Sequence, residues 1–330
     1  MKNKSISSIG EFGLIDIIKK EFSSKTNNKN IVVNIGDDCF CFKSNNNNIF
    51  VTKDILIENV HFKKEWTTPS DLGEKAIEVN VSDIASMGNV KPKYVFIGLA
   101  IPKTMNELFF RNLYIGFKKA CDKYGIIISG GDTVKSNIIV ISITLIGICN
   151  NKQIVRRDSA KVNDLIGVTN TFGNANAGIE LLHKYGLNHK YTNNEFFLIS
   201  KQNNPKSRLK ESIILSSYIN SLIDSSDSLY TSINNIIKNS NKGANIYIDK
   251  IPISHNLKKV FKKKKKQLNF ALFGGEDYEL IFTVSKSKAK IIKKLIPKIT
   301  YIGNINLSKK IEYFYNGEKQ KIKYSGYKHF

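Results

Sequence analysis

Short apolar runs separated by polar turns alternate along the chain with stretches in which apolar residues recur every three or four positions. Strand patterns fall over 31–33, 39–42 and 49–52, and the Asn45 to Asn48 tract between the last two predicts a hairpin-like connection. A helix follows, with Asp71 as N-cap, Glu74 three residues on, and Gly88 and Pro92 as stop signals. A strand over 94–100 leads to a second helix, opened by Thr104 with Glu107 and closed by Gly125. Strands over 126–129 and 138–148, with Gly130-Gly131-Asp132 as the turn between them, complete a first unit. After the polar segment 150–158 the pattern restarts. It gives a strand over 165–169, a helix over 175–184 ending at Gly186, and two helices flanking Asp224 and Asp227. Strands over 246–248 and 279–284 and a short pair near Ile302 and Ile311 finish it. Strands and helices mix without strict βαβ alternation, so the fold class is α+β, with one domain over 1–150 and a second over 151–330.

Composition adds little to this picture. The 330 residues, 41% hydrophobic and 10% aromatic, suffice for two cores, and no apolar run reaches the ~18–20 residues of a membrane span. The polar N-terminus lacks a secretory core, so a soluble cytoplasmic protein without membrane partners is expected. Four cysteines, Cys39, Cys41, Cys121 and Cys149, form no C-x-x-C pair and have no histidine at ligand spacing, which argues against zinc. The net charge of +23 raises nucleic acid as a partner. The lysines are scattered among Asn and Ile, and no binding motif accompanies them, so no nucleic-acid partner is expected.

The chemistry lies in the acids. The chain has no G-x-x-x-x-G-K-[ST] loop, no G-x-G-x-x-G and no H-R-D catalytic loop. Instead Asp37-Asp38, Asp54, Asp132, Asp224 and Asp227 stand at the ends of apolar segments, beside small residues. Carboxylates without His or Cys are the ligand set of Mg2+, although Asp and Gly also serve simple turns. Asp83 is the most telling. It follows Leu72 by eleven residues, which at ~100° per residue returns it to the apolar stripe of Leu72, Ala76 and Val79. A carboxylate on a core-facing stripe is costly unless paired or bound to metal. Asp224, Ser226 and Asp227 precede a helical pattern, whose N-terminus suits phosphate oxygens.

Several blocks resemble, in family order, those of thiamine-monophosphate kinases. They are Ile35-Gly36-Asp37-Asp38-Cys39; Thr52-Lys53-Asp54 with His61-Phe62; Lys75-Ala76 and Asn80-Val81-Ser82-Asp83-Ile84-Ala85-Ser86-Met87-Gly88; and Gly130-Gly131-Asp132-Thr133. Arg157-Asp158-Ser159-Ala160-Lys161, Ile223-Asp224-Ser225-Ser226-Asp227, Gly274-Gly275-Glu276-Asp277-Tyr278-Glu279-Leu280 and Gly326-Tyr327-Lys328-His329-Phe330 follow. The resemblance implies a two-domain PurM-like fold, shared with aminoimidazole ribonucleotide synthetase, and a homodimer built through the N-terminal domains. It implies several Mg2+ ions held at Asp38, Thr52, Lys53, Asp54, Asp83, Asp132, Asp224 and Asp227. ATP, the co-substrate, would meet Tyr114, Gly131, Asp132, Arg157 and Ser226. Thiamine monophosphate would meet His61, Glu276 and Tyr327. The implied reaction is direct in-line transfer to a phosphate acceptor without a covalent enzyme intermediate.

This chain departs from the family pattern twice. Lys53 stands where a metal-binding Thr is usual, which puts one ion in question, and Ser228 stands where Gly is usual, which implies strain if the position needs a positive φ. The alternatives are another ATP-dependent synthetase of the superfamily, or a basic, nucleic-acid-associated protein with a decayed ATP site.

Overall fold

The computed structural model describes residues 13–18, 20–21, 29–150, 154–323 and 326. In the first half lie β1 (Ile31–Val33), β2 (Phe40–Ser44), β3 (Asn47–Ile57), β4 (Lys91–Ile101), β5 (Ile127–Lys135) and β6 (Val140–Cys149). They form one sheet in the order β1-β2-β3-β6-β4-β5, in which β4 and β5 run parallel and the other neighbours antiparallel. Helices α1 (Pro69–Ser86) and α2 (Glu107–Tyr124) cover one face.

The second half holds β7 (Leu165–Val168), β8 (Ser221–Asp224), β9 (Gly243–Tyr247), β10 (Leu280–Val284), β11 (Thr300–Asn306), β12 (Ile311–Tyr315) and β13 (Glu318–Gln320). Their order is β13-β12-β9-β11-β7-β10-β8, with β9 and β12 parallel. Helices α3 (Asn174–Tyr185), α4 (Asn193–Asn203), α5 (Leu209–Leu215), α6 (Leu229–Ser240), α7 (His255–Val260), α8 (Lys264–Phe273) and α9 (Lys286–Leu295) surround it. The α+β class expected from the pattern is the class observed.

Side-chain alternation decides where the cores lie. On β10, Leu280, Phe282 and Val284 join a core shared with the first half, whereas Ile281 points into a second core under α3, α6 and α8. A strand buried on both faces reads as a nearly continuous apolar run, and Leu-Ile-Phe-Thr-Val, buried at every position, breaks it only at Thr283, whose hydroxyl pairs with that of Ser221. Helix α1 is buried on almost every side because it packs against β3 and β6 as well as β8 and α5. It is the element that joins the two sheets.

Several local expectations needed correction. The cap of α1 is Thr68, not Asp71. Its hydroxyl accepts the Asp71 N–H at 3.1 Å, and Pro69 takes the first helical position, where no N–H is needed. Likewise Asn106, not Thr104, caps α2. Gly130-Gly131-Asp132 is no turn but the middle of β5, paired with Phe96, Ile97 and Gly98. Any side chain at Gly131 would collide with the Ile97 carbonyl, so the glycine permits close strand pairing.

Candidate functional site

The site begins with alternation on β3. Successive side chains point to opposite faces of a strand, so Thr52 and Asp54 face α1 while Lys53 faces away. One turn before its end, α1 lowers Asp83 onto this pair. The Thr52 hydroxyl donates to the Asp83 carboxylate, and Asp54 shares a hydrogen bond with Asp83. The neighbouring Ser82 points the other way around the helix and donates to Asp224 Oδ2 at 2.6 Å, at the end of β8. Asp38 approaches from the loop before β2. One carboxylate oxygen each from Asp38, Asp83 and Asp224 lies within 4.8 Å of the others. Three acids widely separated in the sequence thus meet where the two halves adjoin.

Arg157 closes one side. Its Nε donates to Asp37 Oδ1 at 3.1 Å, its terminal nitrogen reaches Asp38 Oδ1, and its backbone N–H donates to Asp37 Oδ2 at 3.3 Å. One guanidinium does not neutralise so many acids. Burial, then the charge of Asp38, raises Asp37 to about 6 against the pull of Arg157. The same two causes raise Asp54 to about 6 and Asp224 to about 8. Burial, then the charges of Asp54 and Asp224, raises Asp83 well above the carboxylate range. In protein without bound cations Asp83 and Asp224 hold protons at neutral pH, while Asp37 and Asp54 give theirs up just below it.

The donor set fits a hard divalent cation. All the converging groups are oxygens, and Asp38 Oδ2 is buried without a hydrogen-bond partner among the described residues. The nearby sulfur does not compete. Burial, then the charge of Asp83, pushes the Cys39 thiol up, and its Sγ lies 3.5 Å from the Asp83 carbonyl oxygen.

The other expected residues are placed as follows. Ser226 and Asp227 are exposed in the loop between β8 and α6, beside Gly274 to Glu279. Ser226 accepts the Glu276 N–H at 2.6 Å, and Ser225 accepts that of Tyr278 at 3.0 Å. Glu276, with φ +64, receives Lys75 and Gln202 on its carboxylate. His61 Nδ1 accepts the Ile57 N–H at 3.1 Å. Tyr114 is half-buried on α2 between the rings of Phe110 and Phe117.

Asp132, Gly131 and Lys53 lie away from the acidic group. Asp132 and Gly131 lie exposed on the edge strand β5. The Lys53 ammonium donates to Ser142 Oγ at 2.8 Å on the opposite face of the sheet, so it does not take the place of an ion in the Asp38–Asp83–Asp224 group. Tyr327 lies outside the described residues. Ser228 is not strained: with φ 179 its backbone is extended, and its hydroxyl caps α6 by accepting the Thr231 N–H at 3.1 Å. Sequence reasoning missed Ser82, Lys75 and Gln202. Ser82 and Lys75 sat inside resembling blocks, but their partners lie 142 and 201 residues away.

These features define a class: a PurM-like α+β chain with an all-oxygen acidic site between its two sheets. Residues 36–149 match the family model "AIR synthase related protein, N-terminal domain". The thiamine-monophosphate kinase of Buchnera aphidicola subsp. Schizaphis graminum is 38% identical over 329 residues, covering 97% of this chain and 99% of that protein. That of Aquifex aeolicus is 35% identical over 323 residues, covering 98% of each. A solved structure described as "AaThiL complexed with AMPPCP and TMP" superposes with a TM-score of 0.88 at 34% identity, covering all of both chains. The chain belongs to the thiamine-monophosphate kinase family.

Proposed function

We propose that the chain transfers the γ-phosphoryl group of ATP to thiamine monophosphate, giving thiamine diphosphate. The observation that carries this reading is the convergence of Asp38, Asp83 and Asp224 in a chain that parallels kinases of this name over its whole length. Asp38, Asp83 and Asp224, with Thr52 and Asp54 behind them, would hold Mg2+, and Asp227 would complete the set from its loop. Bound Mg2+ supplies positive charge that offsets repulsion between donor and acceptor phosphates. Arg157, already seated on Asp37 and Asp38, and Ser226 would hold the nucleotide phosphates, with Tyr114 beside the base. His61, Glu276 and Tyr327 would orient the acceptor. An acceptor phosphate is already a nucleophile, so no general base is required, and transfer is direct and in line.

The N-terminal domain, residues 1–150, would supply Asp38, Thr52, Asp54 and Asp83 for the metal and Tyr114 for the nucleotide, and the C-terminal domain, 151–330, Asp224, Arg157, Ser226 and most of the acceptor side. Two copies associate through the first sheet. Among the described residues its second face and the edge strand β5 expose Tyr94, Phe96, Ile127, Ile128 and Val134, an apolar surface unusual for a sheet edge. Asp132 and Gly131 on that edge would then serve the site as part of the dimer. No helix among the described residues is long and apolar enough to cross a membrane, and a cytoplasmic location suits a kinase that uses ATP.

The test is formation of thiamine diphosphate and ADP from ATP, Mg2+ and thiamine monophosphate, with Asp83→Asn as comparison. Metal-dependent turnover should fall by about 100- to 1,000-fold in the variant, as for loss of a group that organises charge in the transition state. No thiamine diphosphate from folded wild-type protein at any Mg2+ concentration would sink the reading.

A further inference from the structure

We propose that Lys75 and Gln202 are positioning residues: they hold the Glu276 carboxylate in place to recognise the cationic, amino-bearing heteroaromatic part of the acceptor. The inference rests on the reading that Glu276 touches the acceptor. Lys75 belongs to α1 and is only 3% exposed, with its ammonium 3.1 Å from Glu276 Oε2 and 3.2 Å from the Gln202 carbonyl oxygen. The Gln202 side-chain amide, from the last turn of α4, donates to the same Oε2 at 2.5 Å. Both donors thus converge on one oxygen, and among the described residues no hydrogen bond reaches Glu276 Oε1. The pair is also asymmetric, since Glu276 retains 20% exposure while Lys75 has almost none.

A carboxylate shut away from solvent normally has both oxygens bonded inside the fold. Here one oxygen is anchored, and the other is left with no internal donor on a side chain that still meets solvent. The backbone is fixed as well. Glu276 sits in the left-handed region, with its N–H on the Ser226 carbonyl oxygen at 2.6 Å. A carboxylate held at one oxygen and offered at the other suits a ligand that brings both an N–H donor and positive charge. Lys75 offsets part of the carboxylate charge as well, so the site retains the acid without a bare buried anion. The arrangement ties the acceptor side to the acidic group, because α1 also carries Asp83 eight residues on, about 12 Å along the helix axis.

The experiment is steady-state kinetics on the full chain with Lys75→Met, Lys75→Arg, Gln202→Leu and Glu276→Gln, and the double variant of Lys75→Met with Glu276→Gln. Lys75→Met should raise KM for thiamine monophosphate about 10- to 100-fold, with KM for ATP and kcat little changed. Lys75→Arg should recover most of the loss. The double variant should be little worse than Glu276→Gln alone, because both changes disable one unit. Should Lys75→Met fail to fold, Gln202→Leu, which removes a single hydrogen bond, decides the matter by the same KM split. A rise in KM with Glu276→Gln but not with Lys75→Met or Gln202→Leu overturns the positioning role alone. Effects that simply add, or equal losses in kcat and in KM for both substrates, overturn it too. An unchanged KM in Glu276→Gln removes the acceptor reading of Glu276 and the inference with it.

Discussion

Replacing Asp224 by Asn should make the metal-free protein more stable while abolishing its activity. Asp224 is buried at the end of β8, and its carboxylate faces those of Asp38 and Asp83. Asn has nearly the same shape, can still accept the Ser82 hydroxyl through Oδ1, and carries no charge. Burial and the charge of Asp38 raise Asp224 from 3.8 to about 8. Each pH unit of displaced titration is worth about 1.4 kcal/mol, so at about pH 7.5 the folded protein bears a penalty of at most ~5 kcal/mol. Neighbouring acids that take up protons relieve part of the repulsion, and the compact unfolded chain shares some of it. About 2–3 kcal/mol should remain.

The sign follows from the direction of the shift. A carboxyl with a raised folded pKa contributes stability that is full below its unfolded value of 3.8 and is lost as pH rises through about 8. Asn does not titrate, so the advantage of the variant should be absent near pH 4 and largest above pH 8. Thermal unfolding in EDTA across this range measures it. With saturating Mg2+ the order should invert, because binding to the folded state stabilises the wild type and the variant has lost a ligand. If Asp224→Asn melts below the wild type in EDTA at about pH 8, or its advantage does not vary with pH, the electrostatic account of the site is wrong.

Two further outcomes test the frame around the site. In Gly116→Ala the new methyl would lie 2.8 Å from the Ser70 carbonyl carbon and 3.0 Å from the Glu74 nitrogen, and closer still to the Ser70 oxygen. Better helix propensity offers about 1 kcal/mol, whereas forcing two helix backbones apart costs about 3 kcal/mol, so a net loss near 2 kcal/mol is expected in denaturant unfolding. An unchanged or higher midpoint would show that α1 and α2 are not in backbone contact there. At the exposed edge, the proposed dimer should appear in sedimentation velocity of the wild type and be lost in Ile128→Asp, without a lower melting temperature for the monomer. A monomeric wild type would remove the dimer, and a variant that remains dimeric would place association elsewhere.

What the sequence disclosed depended on how local the determining contact was. Asp83 was legible because helical periodicity alone returns it to the stripe of Leu72 and Ala76, and its partners then proved to be other acids. The same period-2 rule that puts Thr52 and Asp54 together separates Lys53 from them. Its placement among the metal residues came from the family pattern, and alternation on an 11-residue strand outweighed it. Gly130-Gly131-Asp132 read as a turn because glycine pairs favour turns, yet parallel pairing with β4 extends the strand through them. Asp71 reads as the cap because it stands nearer the apolar stripe, but Pro69, suited to the first helical position, sets the cap one residue before itself at Thr68.

The contacts made by Ser82 and Lys75 with residues far along the chain were beyond any local rule. They share a cause: both residues lie on the faces of α1 that turn toward the second half of the chain. The apolar stripe of a helix discloses one partner surface, but α1 has two. Where a helix is buried all round, its polar positions are the informative ones, because each must have a partner. On α1 the pairs Lys75–Glu276, Ser82–Asp224 and Asp83–Thr52 are those partners. Together they fix the separation between the acidic group and Glu276 to the rise of a single rigid helix. A kinase that must set two phosphates in line gains from that arrangement, since neither half of the site can move along α1 without breaking a buried polar pair.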